Sequence, residues 1–291
     1  MNVIKYGMEP LTDLHIHSLV SDGKNTTSEI LEAAARLQLK RISITDHDAV
    51  GAYRNFEGDP FDAARLQGME LVPGIELDTN YQGREVHLLG YGIDIDHPEL
   101  NRHLDRIQEQ RRQRIQLQAQ ALNTHFRKQV VDLDAIFLSE RDTVMKPHLF
   151  HFLVKAGLVE NYKTFKDLLE QSAPVDVRVE RPDLPEAIGL ILRAGGSPVL
   201  AHPGYLCKDG LELESLVEKM VKDGLKGLET DYPYWQPHNP DCSRFPDQES
   251  EQDMVQYVRA LANRFNLTTT SGSDAHNLDA LKSFSRRCCP H

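Results

Sequence analysis

Short apolar runs alternate with amphipathic stretches along most of this chain, and that rhythm constrains the fold more than any single residue does. The first part carries DLHIH (13–17), RISITDH (41–47), ELVPGIELDT (70–79) and EVHLLGYGI (85–93), with helical periodicity over 27–38 and 60–68. The alternation resumes near residue 185 with PEAIGLILRAGG, SPVLAHP, LESLVEKMVKDG, LKGLETD, EQDMVQYVRALANRF and LTTTSGSDAH, where glycine serves as a helix stop signal. About seven strands, most of them joined by helices, predict an α/β fold with a mainly parallel sheet closed into a barrel. A length of 291 residues suits one such barrel with an insertion.

Between 95 and 182 the rhythm breaks. Residues 98–125 read as one long polar helix with a thin apolar stripe of Leu100, Leu104, Ile107, Ile115, Leu117 and Leu122. KPHLFHFLVKAG and TFKDLLEQ add further helical segments. The expected organisation is a barrel formed by 1–94 and 183–291, capped by a helical insertion over 95–182. The arginines of the long helix (Arg106, Arg111, Arg112 and Arg114) alternate with Asp105 and Glu109 and read as a solvated face.

The formal net charge of −11 disfavours a surface that tracks a long nucleic acid, because such binding rests on many Lys/Arg–phosphate contacts. A small phosphorylated substrate stays compatible with it, since a deep centre of metal ions attracts anions whatever the outer surface carries. No run of eighteen apolar residues and no signal-peptide pattern occurs, so a cytoplasmic protein without a membrane span is expected. Cys207, Cys242, Cys288 and Cys289 have no CxxC spacing and read as reduced thiols. Nothing in the sequence specifies an oligomeric state.

The chemistry lies at the ends of the apolar runs. DLHIHSLVSDG supplies His15, His17 and Asp22, TDHD supplies His47, PGIE Glu76, EVHLLG His87, AHPG His202, and GSDAH Asp274 and His276. A lone strand histidine is most often a core residue; six placed by one rule, converging on the C-terminal face of a barrel, are a ligand set. Nine N/O donors are too many for one ion. They suit two or three borderline divalent cations such as Zn, Mn or Fe, and the lack of thiolates argues against a structural zinc.

On these residues the chain resembles the PHP (polymerase and histidinol phosphatase) family of metal-dependent phosphoesterases. The resemblance rests on D-x-H-x-H-x-x-x-S-D-G at 13–23, T-D-H-D at 45–48, P-G-x-E at 73–76, His87, A-H-P at 201–203 and G-S-D-x-H at 272–276. It implies a distorted (β/α)7 barrel with a two- or three-metal centre. His15, His17, Glu76 and Asp274 would hold one ion, Glu76 would bridge to a second held by His87 and His202, and Asp22, His47 and His276 would surround a third. Asp13 and Asp46 would orient ligating imidazoles.

Two cations roughly 3.5–4 Å apart can activate water and stabilise an in-line displacement at phosphorus. The expected reaction is hydrolysis of nucleotide phosphates or cyclic sugar or nucleotide phosphates by metal-bound hydroxide, with His15, His17, Glu76, His202 and Asp274 at its centre. No other nucleophile is needed, and Ser18 and Ser21 read as local hydrogen-bonding residues. The resemblance places His148 against a substrate phosphate, with Lys146 beside it. An exonuclease acting on short RNA or DNA and a non-catalytic metal-binding module are the competing classes.

Overall fold

The structure, a computed structural model, describes residues 12–138, 140–173, 177–208, 210–235 and 245–288. In chain order it begins β1 (Thr12–Ile16), α1 (Thr27–Arg36), β2 (Arg41–Ile44), α2 (Gly51–Arg54), α3 (Pro60–Leu66), β3 (Glu70–Leu71), β4 (Gly74–Tyr81) and β5 (Arg84–Tyr91). Four helices follow, α4 (Pro98–Phe126), α5 (Leu133–Ile136), α6 (Lys146–Lys155) and α7 (Tyr162–Ser172). The last part runs α8 (Leu184–Arg193), β6 (Ser197–Leu200), α9 (Gly204–Lys208), α10 (Leu213–Asp223), β7 (Gly227–Asp231), α11 (Gln248–Arg264), β8 (Thr268–Ser271) and α12 (Leu278–Cys288).

Local sequence accounts for many of these boundaries. Thr26 and Glu29 form a reciprocal capping box at the start of α1, the Thr26 N–H donating to the Glu29 carboxylate at 2.9 Å. Asp59 caps α3 by accepting from the N–H groups of Phe61 and Asp62, with Pro60 in the first turn, where its missing N–H costs nothing. Gly224 ends α10 at φ 108°, a left-handed position that glycine adopts without strain.

Among the described residues eight strands form two sheets instead of the single closed barrel of about seven that the sequence rhythm suggests. The first, β1-β2-β3, is parallel throughout; the second, in the order β4 to β8, is antiparallel at β4/β5 and β5/β6 and parallel from β6 to β8. Single parallel bridges, Ile16 to Ala275 and His47 to Glu76, link the two. The extra strand arises inside ELVPGIELDT. Val72 donates its N–H to Ile42 of the first sheet, whereas the carbonyl of Pro73, which has no N–H to give, accepts from Gly92 of the second. The chain therefore changes sheet at the proline.

The main hydrophobic cluster joins Ile16, Ile30, Ile42, Ile44, Ile75, Leu77, Leu88, Ile188 and Leu228, and both Leu100 and Leu104 of α4 belong to it. Further along the same helix, Ile115, Ala119 and Leu122 enter a second cluster with Leu149, Leu153, Phe165 and Leu169. Leu117, expected in the apolar stripe, is instead 42% exposed, because the buried face follows 115, 119 and 122. Among the described residues no helix is long and apolar enough to cross a membrane.

Two separate clusters sharing one helix predict partly separable stability. Phe165 has no exposed surface, and its replacement by alanine is expected to cost the α4–α7 region about 3–5 kcal/mol. Hydrogen exchange should show faster exchange over 115–173 with the amides of β1 and β5 still protected; a uniform loss of protection would show that the two clusters melt as one unit.

Candidate metal centre

Strand alternation sends Leu14 and Ile16 into apolar clusters and leaves His15 free to face the opposite way, while His17 follows directly after β1. Asp22 returns to that imidazole by a turn that only Gly23 allows: a Cβ there would lie 2.3 Å from the His17 carbonyl oxygen, and the Gly23 N–H donates to the Ser18 carbonyl at 3.0 Å. His47 follows β2, His202 follows β6, and Asp274 and His276 follow β8. Glu76 and His87, however, lie within β4 and β5, not at C-terminal ends. Because β5 runs antiparallel, with Asp78 paired to His87, a residue in its first half reaches the same edge as the ends of the parallel strands.

Glu76 is the hub. Its Oε2 lies 3.2 Å from His15 Nε2, 3.3 Å from His17 Nε2 and 3.3 Å from His47 Nδ1, while its Oε1 lies 3.0 Å from His87 Nδ1 and 3.2 Å from His202 Nε2. Asp274 Oδ1 sits 2.9 Å from His17 Nε2 and 3.6 Å from His15 Nε2. Asp22 Oδ1 is 3.2 Å from His276 Nε2 and 3.7 Å from His17 Nδ1. All nine residues singled out from the sequence thus converge. Donor groups close enough to share an ion include His15, His17 and Glu76; His47, Glu76 and His87; and His17, Asp22, His47 and His276.

These donors fit cations better than they fit one another. His15 Nε2, both ring nitrogens of His17 and Glu76 Oε2 are buried without a hydrogen-bond partner, an arrangement that native interiors otherwise avoid. Burial opposes charge on every group here, yet the pairing outweighs it. The carboxylates of Asp274 and Glu76 push His17 up to about 9, those of Glu76 and Asp78 do the same for His47, and His15 and His87 are also raised well above the ordinary range. Against the same burial, the imidazoles hold Glu76 and Asp274 well below the usual carboxylate range. Protons on imidazoles thus do here what metal cations would do.

The residues that hold the ligands differ from those expected. Asp13 accepts from the N–H groups of His15 (3.2 Å) and Ser273 (2.9 Å), tying β1 to the turn after β8; it touches no imidazole. Asp46 accepts from Ser18 N–H, Ser18 Oγ and Ser21 Oγ, which gives both serines the local hydrogen-bonding role predicted for them. The imidazoles are oriented instead by Glu229, 2.9 Å from His15 Nδ1, and by Asp78, 2.8 Å from His47 Nδ1. Sequence reasoning missed both, although Asp78 follows Glu76 by two residues on one strand and Glu229 sits within the apolar run LKGLETD. Glu229 Oε2 also accepts the His202 N–H at 2.7 Å, and the Tyr232 hydroxyl donates to Asp274 Oδ2 at 2.8 Å. His202 (φ 29°) and Asp274 (φ 53°) occupy the left-handed region, so backbone strain is stored at two ligand positions.

The ligands open into a cavity of about 720 Å³ whose far wall comes from α4, α6 and α7. Lys146 lines it; His148 does not. His148 Nδ1 accepts from the Met145 N–H at 2.9 Å and Nε2 donates to the Ser21 carbonyl at 3.1 Å, and burial, reinforced by Arg141, pushes the ring down to about 4. Both nitrogens are occupied, so the phosphate contact expected of His148 is replaced by a tie between α6 and the loop that carries Asp22. The solvated arginine face is also corrected. Arg111 is 6% exposed and pairs with Asp48 and, at 2.7 Å, with Asp78, while the half-buried Arg114 lines the cavity.

Comparison with known proteins agrees with this geometry. The 5'-3' exoribonuclease Rnm of Escherichia coli is 28% identical over 265 residues, 91% of this chain and 84% of its own length. The 3',5'-nucleoside bisphosphate phosphatase of Chromobacterium violaceum is 28% identical over 265 residues, covering 91% of this chain and 86% of that protein. A solved Chromobacterium violaceum structure, described as an amidohydrolase with bound sulfate and no metal, superposes with a TM-score of 0.73 at 27% identity over 92% of this chain and 88% of its own. The pattern of the PHP domain matches residues 13–173, a span that starts at the first ligand motif and covers more than half of the sequence, and the protein belongs to the PHP domain family.

Proposed function

We propose that the protein is a metal-dependent phosphoesterase that hydrolyses small phosphate esters. One observation carries this reading: a buried carboxylate, Glu76, turns its two oxygens toward two different groups of imidazoles at the floor of a cavity. The phosphatase and exoribonuclease names of its relatives, both hydrolases of phosphoester bonds, support it.

In this reading His15, His17, Glu76 and Asp274 would hold one divalent ion, Glu76, His87 and His202 a second, and Asp22, His47 and His276 a third. When bound, such ions polarise a phosphoryl oxygen and lower the pKa of water, and Mn, Zn or Fe suits the donors. The chain's own part is to fix the donors. Glu229 and Asp78 set the tautomers of His15 and His47, and Tyr232 aims Asp274. The body of the enzyme comprises 1–94 and 183–291, and 95–182 caps it and keeps bulk water and long polymers from the centre. In this reading the ions are indispensable, because the chain's own residues supply and orient the donors.

Chelator-treated protein, verified metal-free by elemental analysis, should therefore lose phosphatase activity and regain it on adding Mn or Zn; full activity without metal would refute the mechanism. Glu76→Gln should lower kcat by about a hundredfold or more and release more than one equivalent of metal, because it serves two donor groups. A variant that retained its full metal content would disprove the bridging role. The raised imidazole pKa values give a pH dependence whose sign is fixed. Below about 9 His17 and His47 hold protons in the metal-free cluster, so metal binding must expel them and affinity should rise with pH up to that point. Calorimetric titration in buffers of different ionisation enthalpy should reveal the released protons.

A further inference from the structure

The hairpin of β4 and β5 places Glu76, Asp78, Glu85 and His87 on one face. Val86 and Leu88 enter the main hydrophobic cluster, so alternation turns Glu85 and His87 the opposite way, and His87 pairs across the hairpin with Asp78. On that face the His87 ring lies between acids. Its Nδ1 is 3.0 Å from Glu76 Oε1, whereas Nε2 is 3.3 Å from Glu85 Oε1 and 3.7 Å from Asp78 Oδ1.

Asp78, Glu85 and His87 are close enough together to share an ion of their own. The contacts of the two acids argue against that use. Asp78 Oδ1 is 2.8 Å from His47 and Oδ2 is 2.7 Å from Arg111, while Arg181 lies 2.9 Å from Glu85 Oε2 and 3.5 Å from Asp78 Oδ2. A cation placed there would be repelled by two guanidinium groups.

A neutral imidazole that ligates through one nitrogen carries its proton on the other. His15 shows the arrangement, with Nε2 3.2 Å from Glu76 and Nδ1 2.9 Å from Glu229. In His87 the nitrogen facing Glu76 is Nδ1, which leaves Nε2–H to donate away from it. Asp78 Oδ1 is the more distant acceptor and is already shared with His47, so the proton falls to Glu85. Glu85 is 48% exposed and lines the cavity, and Arg181, which lines it too, holds the other oxygen. A side chain that could turn into water is thereby kept on His87.

We infer that Glu85 is a positioning residue: it accepts the Nε2 proton of His87, fixes the ring with Nδ1 toward Glu76, and so sets the affinity of the ion that Glu76, His87 and His202 would share. The inference rests on the metal-dependent reading above and adds a residue outside the nine donors.

The test loads full-length wild type, Glu85→Leu and Glu85→Gln with Zn and measures affinity per equivalent by competition with a chromophoric chelator, without any turnover. Glutamine keeps an acceptor oxygen for His87 but loses the charge that pairs with Arg181; leucine loses both. The leucine variant should bind one equivalent about tenfold or more weakly, and glutamine should restore it to within about threefold of wild type. Long-range proton–nitrogen spectra of the Zn-loaded wild type, with the His87 signals assigned by their loss in His87→Gln, should show the proton on Nε2. Those spectra decide the point even if the leucine variant does not fold. Equal weakening in both variants would make Glu85 a ligand and overturn the positioning role. Unchanged affinity in both, or a His87 proton on Nδ1, would reduce Glu85 to a partner of Arg181 and overturn it as well. Wild type that retains no Zn refutes the metal-dependent reading itself, a result distinct from failure of the Glu85 assignment.

Discussion

A carboxylate buried to 1% of its surface stays charged only if both oxygens are compensated, and Glu76 meets that condition with five imidazoles divided between its two oxygens. Much of the architecture follows from placing those rings around one side chain. β4 has to lie where β1, β2, β5 and β6 can all reach it, which the bridge from His47 to Glu76 and the antiparallel pairing with β5 achieve. Close approach also has steric conditions. A Cβ on Gly74 would sit 2.2 Å from Ser43 Oγ, and one on Gly272 would sit 2.3 Å from the His15 Cβ. Glycine at these points lets neighbouring backbones come near enough for the donors to converge.

The same electrostatic logic fastens the helical region to the sheets. Arg111 leaves α4 for a buried position between Asp48 and Asp78, and the other oxygen of Asp78 meets His47 Nδ1. One guanidinium thus pairs with two buried carboxylates, one of which also meets and orients the candidate ligand His47. Removing it would leave Asp48 without its cation, a loss that typically costs several kcal/mol. His148 adds a second tie, from α6 to the carbonyl of Ser21, beside Asp22. The α4–α7 region and the candidate ligand cluster therefore share polar contacts, although that region has a hydrophobic cluster of its own.

What the sequence discloses and what it hides follow from the range of each interaction. The nine donors were legible because each stands out locally, as an imidazole or a carboxylate breaking an apolar run, and the α4 helix because its period repeats over 29 residues. The antiparallel direction of β5 was not, since an apolar run carries no arrow; the short link from Tyr81 to Arg84, too brief for a parallel crossover, was the available signal. Glu229 and Asp78 escaped notice because their imidazole partners, His15 and His47, lie far away in the chain and leave no local signal. Arg111 was misread for a related reason: charge alternation along a helix indicates solvent only where no buried acid faces it, and Asp48 and Asp78 come from a distant part of the chain.

That division also explains where selectivity must lie. Most strands at this edge carry a candidate donor, and β7 carries the Glu229 that holds one. In the proposed reading, substrate choice falls to elements outside the candidate ligand set. The helices between β5 and α8 approach the centre from the opposite side, and their cations contact neither Glu76 nor Asp274 directly. A negative outer surface and a positive inner wall are compatible because the cavity is lined by fixed side chains that respond to the local field more than to net charge. In the proposed reading, chemistry therefore belongs to the strands and recognition to the helices between β5 and α8.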